Sequence, residues 1–188
     1  MATIVVGGSG RGVGKTALVC GLIAALPELA FAAVKITTHE HGYGGPILEE
    51  TPTGRQMESD TARYLAAGAR RALLVSASED DIAERVGELR AMLGEGANVI
   101  FESNRIVDYL EPDLCLGVLQ AGELAEGSRL SIKASFRKVL SRADALVARG
   151  NVDLVEAEPA AAKPLFRLAD LERISPEMLD WVRSALHS

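Results

Sequence analysis

Short apolar, β-branched runs alternate along this chain with longer stretches of helical periodicity. Residues 2–6 (ATIVV) form an apolar run closed by glycines, the pattern of a strand buried on both faces. Residues 16–26 (TALVCGLIAAL) predict a helix stopped by Pro27, and residues 31–36 (FAAVKI) predict a second strand. Residues 37–57 break the rhythm. They carry Gly42, Gly44, Gly45, Pro46 and Pro52 among polar residues and predict a long surface loop. Loops longer than about 12–15 residues in compact domains commonly carry function or motion. A helix over 58–69 closed by Gly68, a strand over 72–76 and an amphipathic helix over 79–93 follow, the last with Ile82, Val86, Leu89 and Leu93 on one stripe. Residues 98–101 (NVIF) predict a strand running into Glu102, and 114–119 (LCLGVL) predict another. A short helix around 136–140, a strand over 145–148 and a connection over 157–163 lead to the tail. The tail holds residues 164–168 and a helix over 176–186, for which Ser175 is the predicted N-cap.

Strands alternating with helices predict an α/β fold: a three-layer, doubly wound, mostly parallel sheet with helices on both faces. No internal repeat, low-complexity tract or linker interrupts the pattern, so residues 1–188 read as one domain.

Composition agrees with a packed core, at 48% hydrophobic and 24% charged residues. Aromatics make up only 4%, and the small apolar side chains that remain suit a parallel sheet covered by helices. The net charge of -6 gives no global attraction for nucleic acid. The longest basic pair, Arg70-Arg71, is expected to cap a helix end. Cys20 and Cys115 lie in apolar runs and read as buried core thiols, which fits a reducing, cytoplasmic setting. The opening MATIVVGG does not have the makeup of a signal peptide, and no apolar run reaches the roughly 18–20 residues of a membrane span.

The chemistry is concentrated in residues 7–16 (GGSGRGVGKT), which follow a buried strand and open a helix. That context makes the segment a phosphate-binding P-loop. Glycines let successive backbone N–H groups turn inward as an anion-binding nest, and the following helix presents its positive end. Gly10, Arg11, Gly12, Val13, Gly14, Lys15, Thr16 and Ala17 are therefore the candidate binding residues. Lys15 would neutralise β/γ-phosphate charge, and the Thr16 hydroxyl would complete a Mg²⁺ shell. The strict pattern asks for Gly at position 9, where this chain has Ser9 between Gly8 and Gly10. For Arg11 two readings stay open: a phosphate contact, in its own or a second subunit's nucleotide, and solvent.

Phosphoryl chemistry also needs groups that orient metal or water at the carboxyl end of a neighbouring strand. Glu102 and Asp60 are the candidates for both catalysis and metal binding, and Asp60 serves equally well as an acid at a helix N-terminus. Lys35, closing the second strand, is a candidate phosphate or substrate contact. His39 and His41 read as exposed loop residues or substrate contacts rather than zinc ligands, and Asn151 as a turn residue or a base contact. No G-x-S-x-G, H-E-x-x-H or N/T-K-x-D motif is present, so ATP and GTP remain equal candidates.

With these residues in view, the chain resembles the P-loop class that includes dethiobiotin synthetase, the ParA/MinD ATPases and the molybdopterin-guanine dinucleotide biosynthesis adaptor (MobB) family. The ParA/MinD signature lysine would fall at Gly10. The likeness is closest to the adaptor family, through VKITTHEH, through GRQMESDTARYLAAGA with the strand ALLVS after it, and through VIFE, over roughly the first hundred residues. Two departures stand out: Ser103-Asn104-Arg105 after Glu102, and Ile36-Thr37-Thr38 between Lys35 and the histidines. The resemblance implies a dimeric accessory protein with slow GTP hydrolysis, which acts with a molybdopterin-pathway partner to load a nucleotide onto molybdopterin. The alternative implied by dethiobiotin synthetase is a small-molecule kinase or ATP-dependent ligase. There Lys35, the His39–His41 loop and Ser103–Arg105 would form the acceptor pocket.

Overall fold

The computed structural model describes residues 1–38, 45–51, 59–78, 80–119, 134–149 and 163–187. Among these residues, eight strands form one sheet in the order β3-β4-β2-β5-β1-β6-β7-β8. The strands are β1 (Thr3–Gly8), β2 (Ala32–Thr38), β3 (Leu48–Glu49), β4 (Arg71–Ala77), β5 (Val99–Glu102), β6 (Leu114–Leu119), β7 (Ala145–Arg149) and β8 (Leu165–Leu168). All neighbours pair in parallel except β3, which runs antiparallel to β4. The helices are α1 (Lys15–Ala25), α2 (Asp60–Ala66), α3 (Ile82–Leu93), α4 (Ala134–Arg142) and α5 (Pro176–Leu186).

Alternation along each strand splits the core into two layers. Ile4, Val6, Leu116 and Val147 pack with Leu18, Leu22, Tyr64, Met178 and Val182 on the face covered by α1, α2 and α5. Val5, Cys115 and Leu146 pack with Ile82, Val86, Leu89, Phe136 and Val139 on the face covered by α3 and α4. The predicted three-layer architecture is therefore the observed one. Residues 18–23 of α1 are all buried, which explains why this helix shows no polar stripe. The tight fit continues at Gly21, where a Cβ would lie 2.7 Å from the Leu171 carbonyl oxygen.

Local chemistry sets the ends. Ser59 caps α2 by accepting from the Ala62 N–H at 3.1 Å. The helix closes in a Schellman motif, with Gly68 N–H on Leu65 O and Ala69 N–H on Tyr64 O, both at 3.0 Å. Ser78 and Asp81 exchange side-chain and backbone bonds ahead of α3, as in a capping box. Ser175 caps α5 as predicted.

Two expectations change. The predicted loop over 37–57 contains an edge strand: Leu48 and Glu49 pair with Leu74 and Leu73. The tail segment 164–168 contributes β8, covered by α5 through Phe166 and Trp181, whose ring centroids lie 5.4 Å apart. Arg71 opens β4 and caps a helix end as expected, that of α3: its guanidinium pairs with Glu49 and also donates to Met92 O, in the last turn of α3. Cys20 and Cys115 are free and buried as predicted, and burial pushes their thiols up to about 11 and about 12. Among the described residues no helix is long and apolar enough to cross a membrane. His39, His41, Glu58, Asn151 and most of the 157–163 connection lie outside the described residues.

Candidate functional site

The carboxyl ends of β1, β2 and β5 open into a cleft of ≈ 830 Å³. Its first wall is the P-loop. After β1, the Ser9 N–H bonds Val118 O at 2.9 Å, and the chain then turns through Gly12 (φ 76) and Gly14 (φ 101) into α1. Gly14 is the N-cap and offers no side-chain cap, and the first turn of α1 carries no acid. That turn therefore presents the positive end of α1 to the cleft with no side-chain cap or acid to offset it, a setting that suits an anion. Only glycine fits at position 14: the left-handed backbone disfavours a Cβ, and one built there would lie 2.3 Å from Leu171 Cδ1.

Lys15 folds back over this loop and donates to Gly10 O at 2.8 Å. Gly10, Arg11, Gly12, Gly14, Lys15, Thr16 and Ala17 line the cleft. Arg11 is exposed there, so its two readings meet in one place. Val13 is different: its side chain is buried in the core beneath the loop, which leaves it a backbone role at most.

The second wall is built from side chains. Parallel pairing sets Lys35 opposite Glu102 on neighbouring strands. Glu102 is only 4% exposed. Its Oε1 accepts from Lys35 Nζ at 3.1 Å, and its Oε2 accepts from the Thr16 hydroxyl at 2.7 Å and from the Tyr64 hydroxyl. Lys35 also bonds the Asp60 carboxylate, which sits in the first turn of α2. Burial alone would lower the Lys35 pKa, but the Glu102 charge and the bonds to Asp60 and Glu102 outweigh it and raise the value. Burial likewise pushes Asp60 up, and Lys35, the nearby Thr16 hydroxyl and Arg63 more than offset it, so its carboxyl is held below the usual aspartate value. Burial and then the Glu102 charge push Tyr64 upward, so it stays a protonated donor.

Lys35, Asp60, Glu102 and Thr16, each singled out in the sequence, therefore meet at one point. Thr16 Oγ1 and two carboxylates are hard oxygen donors, the set a Mg²⁺ ion accepts. Among the described residues no group of three or more His, Cys, Asp or Glu could hold a metal. The donors thus fit an ion that completes its shell with water and phosphate oxygens, rather than one held in an all-protein cage.

Sequence reasoning missed Tyr64 and the backbone-holding roles of Ser103 and Asn104. Tyr64 reads as an ordinary core residue of an amphipathic helix, and nothing in its spacing marks the hydroxyl. Asn104 clamps the P-loop: Gly8 N–H donates to its Oδ1 at 2.7 Å, and its Nδ2 donates to Gly8 O at 2.9 Å. The Ser103 hydroxyl accepts from the N–H groups of Arg105 and Ile106. All three residues that follow Glu102 line the cleft beside Ser135, and the first two also hold backbone. On the far side of the P-loop a second hollow of ≈ 390 Å³ is lined by Gly12, Gly14, Arg149, Asp170, Leu171 and Glu172, among others. Arg63 links the two regions, with Glu172 at 2.6 Å and Asp60 at 3.7 Å.

Among solved structures, the apo form of LpxK from Aquifex aeolicus, in complex with ATP, is similar with a TM-score of 0.52 and 24% identity. The match covers 89% of this chain and 53% of that one, so the chain spans about half the length of LpxK. The chain has the P-loop NTPase fold. Bacillus subtilis MobB is also similar, with a TM-score of 0.47 and 21% identity over 98% of each chain. No protein-family model matches the chain, and no curated protein matches it.

Proposed function

We propose that residues 1–188 form one domain that binds a nucleoside triphosphate, GTP or ATP, with Mg²⁺ and hydrolyses it slowly. The observation that carries this reading is the convergence of the uncapped α1 N-terminus, Lys15, Thr16, Glu102 and Asp60 on one cleft. In this reading the loop N–H groups from Gly10 to Ala17 and the Lys15 ammonium hold the β- and γ-phosphates. Thr16, Glu102 and Asp60 hold Mg²⁺, which when bound neutralises charge on the phosphates. Glu102 or Asp60 would also orient the attacking water, and Lys35 would contact the γ-phosphate. The hollow beside Gly12 and Gly14 has the position to take the nucleoside. The likeness of fold to LpxK, which is in complex with ATP, supports the same ligand class.

The biological role rests on the sequence resemblance to the MobB family: a cytoplasmic, homodimeric accessory protein that works with a molybdopterin-pathway partner in attaching a nucleotide to the molybdenum cofactor. A second reading, a small-molecule kinase or ATP-dependent ligase, is favoured by one observation. The cleft extends past the phosphate-holding residues to Arg105 and Ser135, leaving polar room for an acceptor.

The deciding experiment is phosphate release from ATP and from GTP with Mg²⁺, with and without a molybdopterin-pathway partner. Slow, GTP-selective release raised by the partner supports the accessory role. ADP release that appears only with a small carboxylic or amine acceptor supports the second reading. Absence of Mg²⁺-dependent binding of either nucleotide overturns both.

A further inference from the structure

We infer that Lys35 is a tethered counter-ion that keeps divalent metal out of the nucleotide-free site, so that the metal enters together with the triphosphate. The inference rests on the metal-holding part of the function proposed above. Without nucleotide, both Glu102 oxygens are already engaged: Oε1 by the Lys35 ammonium at 3.1 Å, Oε2 by Thr16 at 2.7 Å and by Tyr64. The same ammonium bonds Asp60. A single positive charge thus serves both candidate metal-binding carboxylates.

Its position is set by the sheet. Lys35 and Glu102 are register partners on β2 and β5, so the ammonium meets Oε1 without any long reach across the cleft. Glu102 is buried and cannot turn to water for compensation, which makes loss of the ammonium costly unless another cation replaces it. A lone Mg²⁺ would have to displace that ammonium and also shed its own water, which it does reluctantly. A triphosphate changes the balance. It brings a new anionic partner for Lys35 within the same cleft, and both carboxylates are then free to turn to the metal.

The test is Mn²⁺ binding to the nucleotide-free, full-length protein, followed by the loss of the free-ion EPR signal. Lys35→Met, which removes the charge from between two carboxylates, is expected to bind Mn²⁺ about tenfold or more tightly than wild type. Lys35→Arg, which keeps the charge, should stay near wild type. The double variant Lys35→Met with Glu102→Gln should lose the gain. If circular dichroism shows that Lys35→Met does not fold, Lys35→Gln carries the same expectation. Binding by the uncharged variant no tighter than wild type overturns the inference, as does a gain that survives Glu102→Gln. No nucleotide is present in any arm. Failure of the NTPase reading would show separately, as wild-type protein that binds neither ATP nor GTP.

Discussion

The two walls of the cleft are built in opposite ways. The P-loop wall comes from one contiguous stretch, residues 7–16, and works through backbone N–H groups and a helix end. The carboxylate wall comes from Thr16 on α1, Lys35 on β2, Asp60 and Tyr64 on α2, and Glu102 on β5, and works through side chains that satisfy one another. A backbone cradle tolerates varied side chains so long as its dihedrals are kept. A side-chain cluster tolerates little, because each loss leaves a buried partner unsatisfied.

Five predictions test this division, beginning with the largest effect. Lys15→Ala should weaken ATP and GTP binding by about a hundredfold, the scale of one lost charge-assisted contact, as read by equilibrium titration. Wild-type affinity in that variant would remove the P-loop from the site altogether. Gly14→Ala should destabilise the fold by about 2–3 kcal/mol in urea unfolding, since it combines an unfavourable φ with a clash on Leu171.

Tyr64→Phe should cost about 1–2 kcal/mol of stability, because Glu102 loses a buried donor, while nucleotide affinity changes by no more than about twofold. A binding loss as large as that of Lys15→Ala would break the comparison. Ser9→Ala should be neutral or stabilising by up to about 1 kcal/mol: the buried Ser9 hydroxyl has no hydrogen-bond partner among the described residues, and the loop conformation keeps its Cβ.

The smallest effect is in pH dependence. The depressed Asp60 pKa contributes stability above the ordinary aspartate range, lost as pH falls through that depressed value. The raised Lys35 pKa contributes stability below the ordinary lysine range, lost as pH rises through the raised value. Urea midpoints should therefore be flat through neutrality and fall at both extremes. In Lys35→Met the alkaline loss from this group should vanish, and the acid loss should begin at higher pH because Asp60 no longer has its main partner.

Everything that depends on neighbours in the chain was legible. The apolar run before GGSGRGVGKT, the glycines within it and the apolar stretch stopped by Pro27 after it specify strand, glycine turn and helix locally, and the structure has all three. Glu102 and Lys35 were identifiable because a charge at the end of an apolar strand has one plausible edge to occupy. Beyond that range the signal fails. Two residues, Leu48 and Glu49, are too short a run to show a period of two, and Leu165–Leu168 acquires strand character from pairing with β7 and cover from α5. Tyr64 looks like a core residue, and the clamp that Asn104 makes on Gly8 has no local signal, until α2 and the segment after β5 are brought against the P-loop.

Local backbone chemistry, written in glycine placement and hydrophobic period, thus determined the glycine loop between β1 and α1 and the alternation of strands and helices. Tertiary structure alone decided that β5 lies between β1 and β2, and hence that Lys35, Glu102 and Thr16 touch. Strand order follows from long-range pairing and from how the two apolar layers fill, and no local period carries that information.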